Sequence, residues 1–358
     1  MILFQLERLC CALASWFPRV GVNLLTTWGI YTHIFKLCIP KFQGLVRVVF
    51  ILSGLAFYVL ATIAYARTVN TGPGSPLQLK GFSVRPEDID LERAAPPPEV
   101  MNNVTAKDNG EMRFCSKCSC WKPDRTHHCS TCKRCVLRMD HHCPWFAVCI
   151  GFRNHKFFVQ FLVYVSLLCM VAFASSLTVV IKFFQDGEEK RAYLSMSWIA
   201  LLLTSGVMGL AVTLFAGYSV YLVVTNQTTL EALEAVRYRS QIPASEYRSQ
   251  YAPDSRSIGN LFDIGISRNW REIMGYRVYE WFLPIHPRGM GNGTSFPINE
   301  QMWQSIHEYS EREAQYLYQQ RQRMAHQVRQ DWGKDDEDYV DYSNADTVES
   351  IPLRQHIA

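Results

Sequence analysis

Eight cysteines and four histidines fall in the 35 residues from Cys115 to Cys149. Cys115 and Cys118, Cys129 and Cys132, and Cys132 and Cys135 are each separated by two residues. That spacing turns both sulfurs toward one tetrahedral ion, the recurrent arrangement of structural zinc sites. Free buried thiols do not explain so many in a segment with little else to form a core. Two four-coordinate sites take eight of the twelve Cys and His candidates, so with any histidine among the ligands at least one thiol can remain outside the metal shell. Spacing alone does not say which. Cys143 stands out because Asp140, His141 and His142 directly precede it. An imidazole can take a thiol proton and a carboxylate can hold that imidazole in orientation, the logic of an activated nucleophile. The alternative makes His141, His142 and Cys143 all metal ligands, but the side chains of adjacent histidines diverge, which leaves one of them spare.

The elements that carry this module are apolar. The chain has 358 residues, a formal charge of +4, 48% hydrophobic residues and 13% aromatics, which excludes a disordered or collagen-like chain. Twelve cysteines overall are too dilute for a small disulfide scaffold. The mean hydropathy of −0.05 hides four long apolar runs set against polar segments. A bilayer is crossed by roughly 20 apolar residues in a helix. Residues 45–66, 157–184 and 197–224 satisfy this; residues 20–39 contain Asn23, His33 and Lys36 and form the weakest span, with an interfacial helix as its alternative. No removable signal peptide opens the chain.

Four spans put both termini and the cysteine module on one side. Ten Lys and Arg near the span ends on that side, against six on the other, make it cytosolic by the positive-inside rule. A reducing compartment suits clustered thiols. Sequons at Asn103, Asn226 and Asn292 then stay unmodified. The expected organisation is a cytosolic N-terminus (1–19), two spans (20–66), a linker (67–112) with turn residues Gly72–Pro76 and the proline-rich Ala94–Pro98, the module (113–156), two spans (157–224) and a cytosolic segment (225–297). A polar tail, residues 298–358, is expected to be largely disordered, with a Gln/Glu/Arg-rich stretch suited to a surface helix and a solvated acidic run at Asp335–Asp338. No repeat of 20 to 50 residues is visible. Lys122, Arg125, Lys133, Arg134 and Arg138 give the module a basic character fit for phosphates or anionic lipid.

Asp140-His-His-Cys143 within such a module, between the second and third of four spans, resembles the DHHC protein S-acyltransferases. The resemblance extends to Lys122–Arg125, His127–Cys129, Cys143-Pro-Trp145, Gly151–Asn154, Thr228-Thr-Leu-Glu231 after the last span, and Asn269–Gly275. It covers about residues 20 to 297. It implies an α-helical polytopic membrane protein with four transmembrane helices and a cytosolic zinc module. It also implies one zinc on Cys115, Cys118, His128 and Cys135 and a second on Cys129, Cys132, His142 and Cys149. Cys143 is then the acylated nucleophile, His141 its base and Asp140 the orienting acid; Cys120 and His127 keep no role. The implied reaction moves a long-chain acyl group from acyl-CoA, typically palmitoyl-CoA, through an acyl-enzyme to cysteines of proteins on the cytosolic membrane face, with no nucleic-acid partner.

Two departures occur: Gly72-Pro-Gly74 where the family has Asp-Pro-Gly, and Phe146-Ala-Val148 before Cys149. Neither alters ligand spacing. The Trp-Phe-Ala variant is most similar to the fungal vacuolar-membrane branch of the family. Trp145 suits either the acyl path or an interfacial anchor, Thr229 and Glu231 either brace the module or cap a helix, and Asn269 holds the C-terminal segment. Cys10 and Cys11 are candidate acylation sites of the enzyme itself, with burial as the alternative. The rival class is a membrane-anchored RING-like zinc scaffold or ubiquitin ligase, which would end in a second Cys-x-x-Cys and use no free thiol.

Overall fold

The computed structural model describes residues 2–84, 95–107, 109–185, 194–240 and 253–332, with side chains described from residue 17 to residue 328. The chain is mostly helical. Helix α1 (Ile2–Tyr31) passes into a π-helical stretch, Thr32–Cys38, and a single turn, α2 (Ile39–Lys41). Then follow α3 (Gly44–Thr71), α4 (Pro98–Met101), six short strands in the cysteine module, α5 (His155–Gln185) and α6 (Met196–Val224). The C-terminal part adds α7 (Thr229–Leu233), α8 (Ile266–Met274), α9 (Val278–Phe282) and α10 (Glu300–Trp332).

Three helices, α3, α5 and α6, are long and apolar enough to cross a membrane, each with a window hydropathy of 2.2 or 2.3. Helix α5 lies between the other two and is the most buried of them. Helix α1 does not reach that apolarity among the described residues. Its polar residues are accommodated by packing instead. His33, fully buried, bonds the Phe50 carbonyl at 3.0 Å through Nε2 and the Ser175 hydroxyl at 3.1 Å through Nδ1. Gly54 makes this possible, since a Cβ there would meet the His33 ring at 2.9 Å.

The module sits on the end of this bundle and is tied to it through backbone. Gly72, at φ 67°, stops α3. The carbonyls of Pro73 and Gly74 then accept from Arg153 and Leu137 of the module, so the turn works without a carboxylate at position 72. Gly151 has no room for a side chain, because a Cβ would lie 2.7 Å from Val136 and 2.8 Å from the Leu137 carbonyl. Asn154 joins three elements, donating to Thr68 and Cys149 carbonyls while accepting from the Gly151 N–H.

The C-terminal segment closes over the same end. Asn269, fully buried, donates to the Val224 carbonyl and accepts from the Ile264 N–H, holding α8 against the end of α6. Gln160 donates to the carbonyls of Glu280, Trp281 and Leu283. The apolar residues of this region pack on the bundle, Trp270 against Trp281 beside the cluster of Tyr65, Phe146, Phe158 and Phe161. The Gln/Glu/Arg-rich stretch expected to suit a surface helix is α10 (Glu300–Trp332), its first turns anchored by Ile306, Met302 and Trp303 on Val104, Tyr238, Leu261 and Phe262. The Cys10 and Cys11 side chains and the Asp335–Asp338 run lie outside the described residues, as do residues 85–94 of the linker.

Candidate active site and metal centres

The module is three β-hairpins: β1 (Phe114–Cys115) with β2 (Cys120–Trp121), β3 (His127–Cys129) with β4 (Arg134–Val136), and β5 (His141–Cys143) with β6 (Val148–Ile150). They are copies of one unit at a spacing of 14 residues. Cys115, Cys129 and Cys143 open the three turns, and Ser119, Lys133 and Ala147 take the same left-handed conformation, φ 47°, 51° and 48°. This period lies below the 20 to 50 residues over which the sequence shows no repeat.

Each metal-binding cluster spans two units. Cys115 and Cys118 from the first turn meet His128 and Cys135, which face each other across the second hairpin. Cys129 and Cys132 from the second turn meet His142 and Cys149 across the third. In both clusters all four ligand atoms lie within 4.8 Å of one another. Tetrahedral zinc with bonds of about 2.0–2.3 Å needs ligand separations of roughly 3.5–3.8 Å. The sulfurs of Cys115, Cys118 and Cys135 stand 3.6, 3.2 and 3.9 Å from His128 Nδ1. Those of Cys129, Cys132 and Cys149 stand 3.8, 3.4 and 3.6 Å from His142 Nδ1. The donor sets fit two such ions, which would close the loops between hairpins and rigidify a segment too small for a core of its own.

The ends of the array differ. At its start Phe114 and Trp121 occupy the His and Cys positions and pack edge to face at 5.0 Å. At its end the turn carries Cys143 and, where Cys118 and Cys132 stand in the other two, Phe146. Helix α5 follows directly, and no fourth hairpin occurs among the described residues. Cys143 is therefore a turn cysteine without a metal cluster.

Its surroundings supply a different chemistry. The Cys143 thiol lies near enough to His141 to raise its pKa, and His141 Nδ1 lies 2.6 Å from Asp140 Oδ2. Burial alone would lower the His141 value, but the Asp140 bond, Cys143 and the carboxylate charge raise it to about 9. Burial likewise works against the Asp140 carboxylate, yet bonds from His141 and Thr229 and nearby charge hold it below the ordinary carboxyl range. Thr229 donates to Asp140 twice, from N at 2.8 Å and Oγ1 at 2.9 Å. Cys143 is 4% exposed and the His141 ring packs edge on against Phe158, so the pair sits on an aromatic floor supplied by the helices.

Behind Asp140 runs a buried polar network. Arg125 forks onto Glu231 at 2.8 and 2.7 Å, donates to the side chain and carbonyl of Asn226, and stacks over Phe262 at 4.5 Å. Arg138 reaches Asn226 and His155. This corrects the basic-surface expectation for two residues: Arg125 and Arg138 are 2% and 4% exposed and engaged inside, whereas Lys133 is exposed. Thr228 and Glu231 also form a capping box on α7, so the segment caps a helix and braces the module at once. Trp145 is 62% exposed and turned out of the bundle, as an interfacial anchor would be. Cys120 is buried beside Cys115 and Cys135, and His127 packs by Arg113, with burial first and then that charge pushing its value down to about 3. A cleft of about 400 Å³ beside Thr105 and Glu231 is rimmed by Lys107, Arg113 and Arg237.

Residues 108–236 match the model of the DHHC palmitoyltransferase family. Palmitoyltransferase PFA3 of Yarrowia lipolytica is 38% identical, over 92% of this chain and 89% of its own length. The proteins of the same name from Debaryomyces hansenii and Saccharomyces cerevisiae are each 35% identical, over 84% and 76% of this chain and 86% and 80% of their own. A likeness that runs through the hairpins, the helices and the braced C-terminal segment places the chain in the DHHC palmitoyltransferase family, as a protein S-acyltransferase held in membranes by its apolar helices.

Proposed function

We propose that Cys143 accepts the acyl group, with His141 as proton carrier and Asp140 as the group that orients it. One observation supports this above the others: Cys143 lies outside both metal clusters, two residues from an imidazole that a buried carboxylate holds in place at 2.6 Å. Cys143 Sγ gives its proton to His141 and attacks the acyl-CoA carbonyl carbon. The carbon–sulfur bond to CoA breaks, the departing thiolate takes the proton from His141, and an acyl thioester remains on Cys143. A substrate cysteine then attacks that thioester, its proton passing to His141 and on to the regenerated Cys143. Each half-reaction exchanges one thioester for another, and the kinetics are ping-pong.

In this reading Cys115, Cys118, His128 and Cys135 hold one structural zinc and Cys129, Cys132, His142 and Cys149 the other. The acyl chain lies among α3, α5 and α6 beneath the aromatic floor. Helix α1 is the fourth span, with both termini and the module cytosolic, and the boundaries follow the organisation expected from sequence. The acceptors are cysteines of membrane proteins at that face. A fungal vacuolar membrane is the location, a reading that rests on the Trp-Phe-Ala resemblance alone, while the fungal origin of the relatives supports only the fungal part.

The test is to incubate purified protein with an alkyne-bearing palmitoyl-CoA and follow hydroxylamine-sensitive label. Wild type becomes labelled and Cys143→Ala does not. Equal labelling of Cys143→Ala with two zincs per chain retained would overturn the mechanism and favour the scaffold reading.

A further inference from the structure

The turns at Cys115 and Cys129 each offer two thiols to a metal cluster, whereas the turn at Cys143 offers none. Something else must keep the four residues between the strands, 144–147, from wandering, because a nucleophile displaced by about 1 Å can lose a factor of a hundred in rate. Three consecutive carbonyls of that turn are taken by side chains from the helices. Tyr65 Oη of α3 donates to the Trp145 carbonyl at 2.9 Å. Arg19 of α1 donates through Nε to the Phe146 carbonyl at 2.7 Å and through Nη2 to the Ala147 carbonyl at 2.9 Å. Between these bonds Phe146 is buried, stacked on the Tyr65 ring at 4.6 Å and edge on to Phe161 at 5.1 Å. The planar guanidinium fork matches two adjacent carbonyls in a way that a lysine ammonium cannot.

We propose that Arg19 and Tyr65 are positioning residues for the acyl transfer, gripping the backbone of residues 145–147 where a metal ion holds the other two turns. The proposal rests on Cys143 being the acylated thiol. It makes the nucleophile's place depend on two membrane helices separated in sequence by 46 positions, one of which was the weakest of the four expected spans. The bonds reach Cys143 through the turn's backbone, so neither side chain takes part in proton transfer.

The experiment measures, in full-length protein reconstituted in lipid nanodiscs, the single-turnover rate of label transfer from alkyne palmitoyl-CoA to the enzyme, with zinc content determined on the same samples. Tyr65→Phe keeps the stack on Phe146 and removes one neutral hydrogen bond, so acylation slows about fivefold. Arg19→Gln removes the fork and slows it about a hundredfold, and Arg19→Lys, which restores charge without the fork, recovers only part. In all three, two zincs are retained, the KM for acyl-CoA stays near wild type, and the pH profile keeps its shape, since the acid–base groups are untouched. Wild-type rates in Tyr65→Phe and Arg19→Gln overturn the proposal. Should Arg19→Gln lose zinc or fail to fold, Tyr65→Phe decides alone, and a wild-type rate there overturns it. Label that survives Cys143→Ala overturns the acyl-enzyme reading first and this proposal with it, whereas label lost in Cys143→Ala but unchanged in the two variants overturns this proposal only.

Discussion

Thr229 holds Asp140 with both of its donors, the backbone N–H at 2.8 Å and the hydroxyl at 2.9 Å, across 89 positions of sequence. Asp140 thus faces His141 with an oxygen already fixed from behind. A carboxylate buried to 2% exposure with its bonds satisfied is pre-oriented, and the imidazole it receives is oriented in turn.

Replacing the Thr229 hydroxyl by a methyl group in Thr229→Val removes one bond to a charged acceptor and leaves the backbone bond. Such bonds contribute about 1.5–3 kcal/mol, so the rate of Cys143 acylation should fall at least tenfold with zinc content unchanged. Asp140→Asn, which also loses the charge facing His141, should be slower still. Single-turnover labelling of the two variants beside wild type checks the order.

Arg125 and Glu231, 1% and 6% exposed at their side chains, form a buried ion pair between the module and α7. Removing one partner strands the other, a loss of about 3–5 kcal/mol, so Glu231→Gln should lower the melting temperature at neutral pH by many degrees. Burial disfavours the Glu231 carboxylate, but Arg125 overrides it and keeps the carboxyl below its ordinary value. The contribution is therefore whole above the unfolded value of about 4.3 and is lost as pH falls through the lower folded value. The melting-temperature gap between wild type and Glu231→Gln should be flat from about pH 8 to pH 5 and close only below about pH 4.

The sequence made some of this legible and hid the rest for identifiable reasons. Cys-x-x-Cys pairs and the Asp140–Cys143 run are local patterns, and apolar runs long enough to span announce themselves by composition. The 14-residue hairpin unit is hidden because its positions change type at each end, His and Cys giving way to Phe114 and Trp121 at the start and Cys to Phe146 at the finish. Arg125 and Arg138 read as surface charge because their partners, Glu231 and Asn226, lie roughly 90 to 105 residues away. Helix α1 reads as a poor span because the groups that satisfy His33 come from Phe50 and Ser175. The Arg19 and Tyr65 bonds go to backbone carbonyls, which no pattern of side chains reveals.

The interleaved clusters should respond unequally to loss of a ligand. Cys149→Ser weakens the cluster that includes His142, and both residues lie in the hairpin that carries Cys143, so one zinc and nearly all acylation should be lost together. Cys115→Ser affects the cluster shared by the first and second hairpins, leaving the third held by its own cluster and by the helices. It should lose one zinc yet keep a measurable fraction of the acylation rate. Zinc quantified per chain beside label incorporation separates the two cases, and a strong chelator should abolish both zinc and labelling.

The sequon asparagines give a test of sidedness with a built-in control. Asn226 lies just past α6 and its Nδ2, the atom a glycan would join, donates to the Phe262 carbonyl at 2.8 Å while Oδ1 accepts from Arg125 and Arg138. Asn103 is equally committed, donating to the Lys122 carbonyl and accepting from the Asp124 N–H. A folded chain has no place for sugar at either residue. Asn292 differs, because its Oδ1 accepts from Thr294 in a local turn and no partner of its Nδ2 appears among the described residues. With all three sequons cytosolic, none is modified, and endoglycosidase treatment leaves the mobility of protein from fungal membranes unchanged. A shift abolished by Asn292→Gln would put the C-terminal segment in the lumen, and with it the module it packs against, away from cytosolic acyl-CoA. A shift abolished only by Asn226→Gln would mean that the sugar was added before folding and that the Arg125 network cannot form in that population.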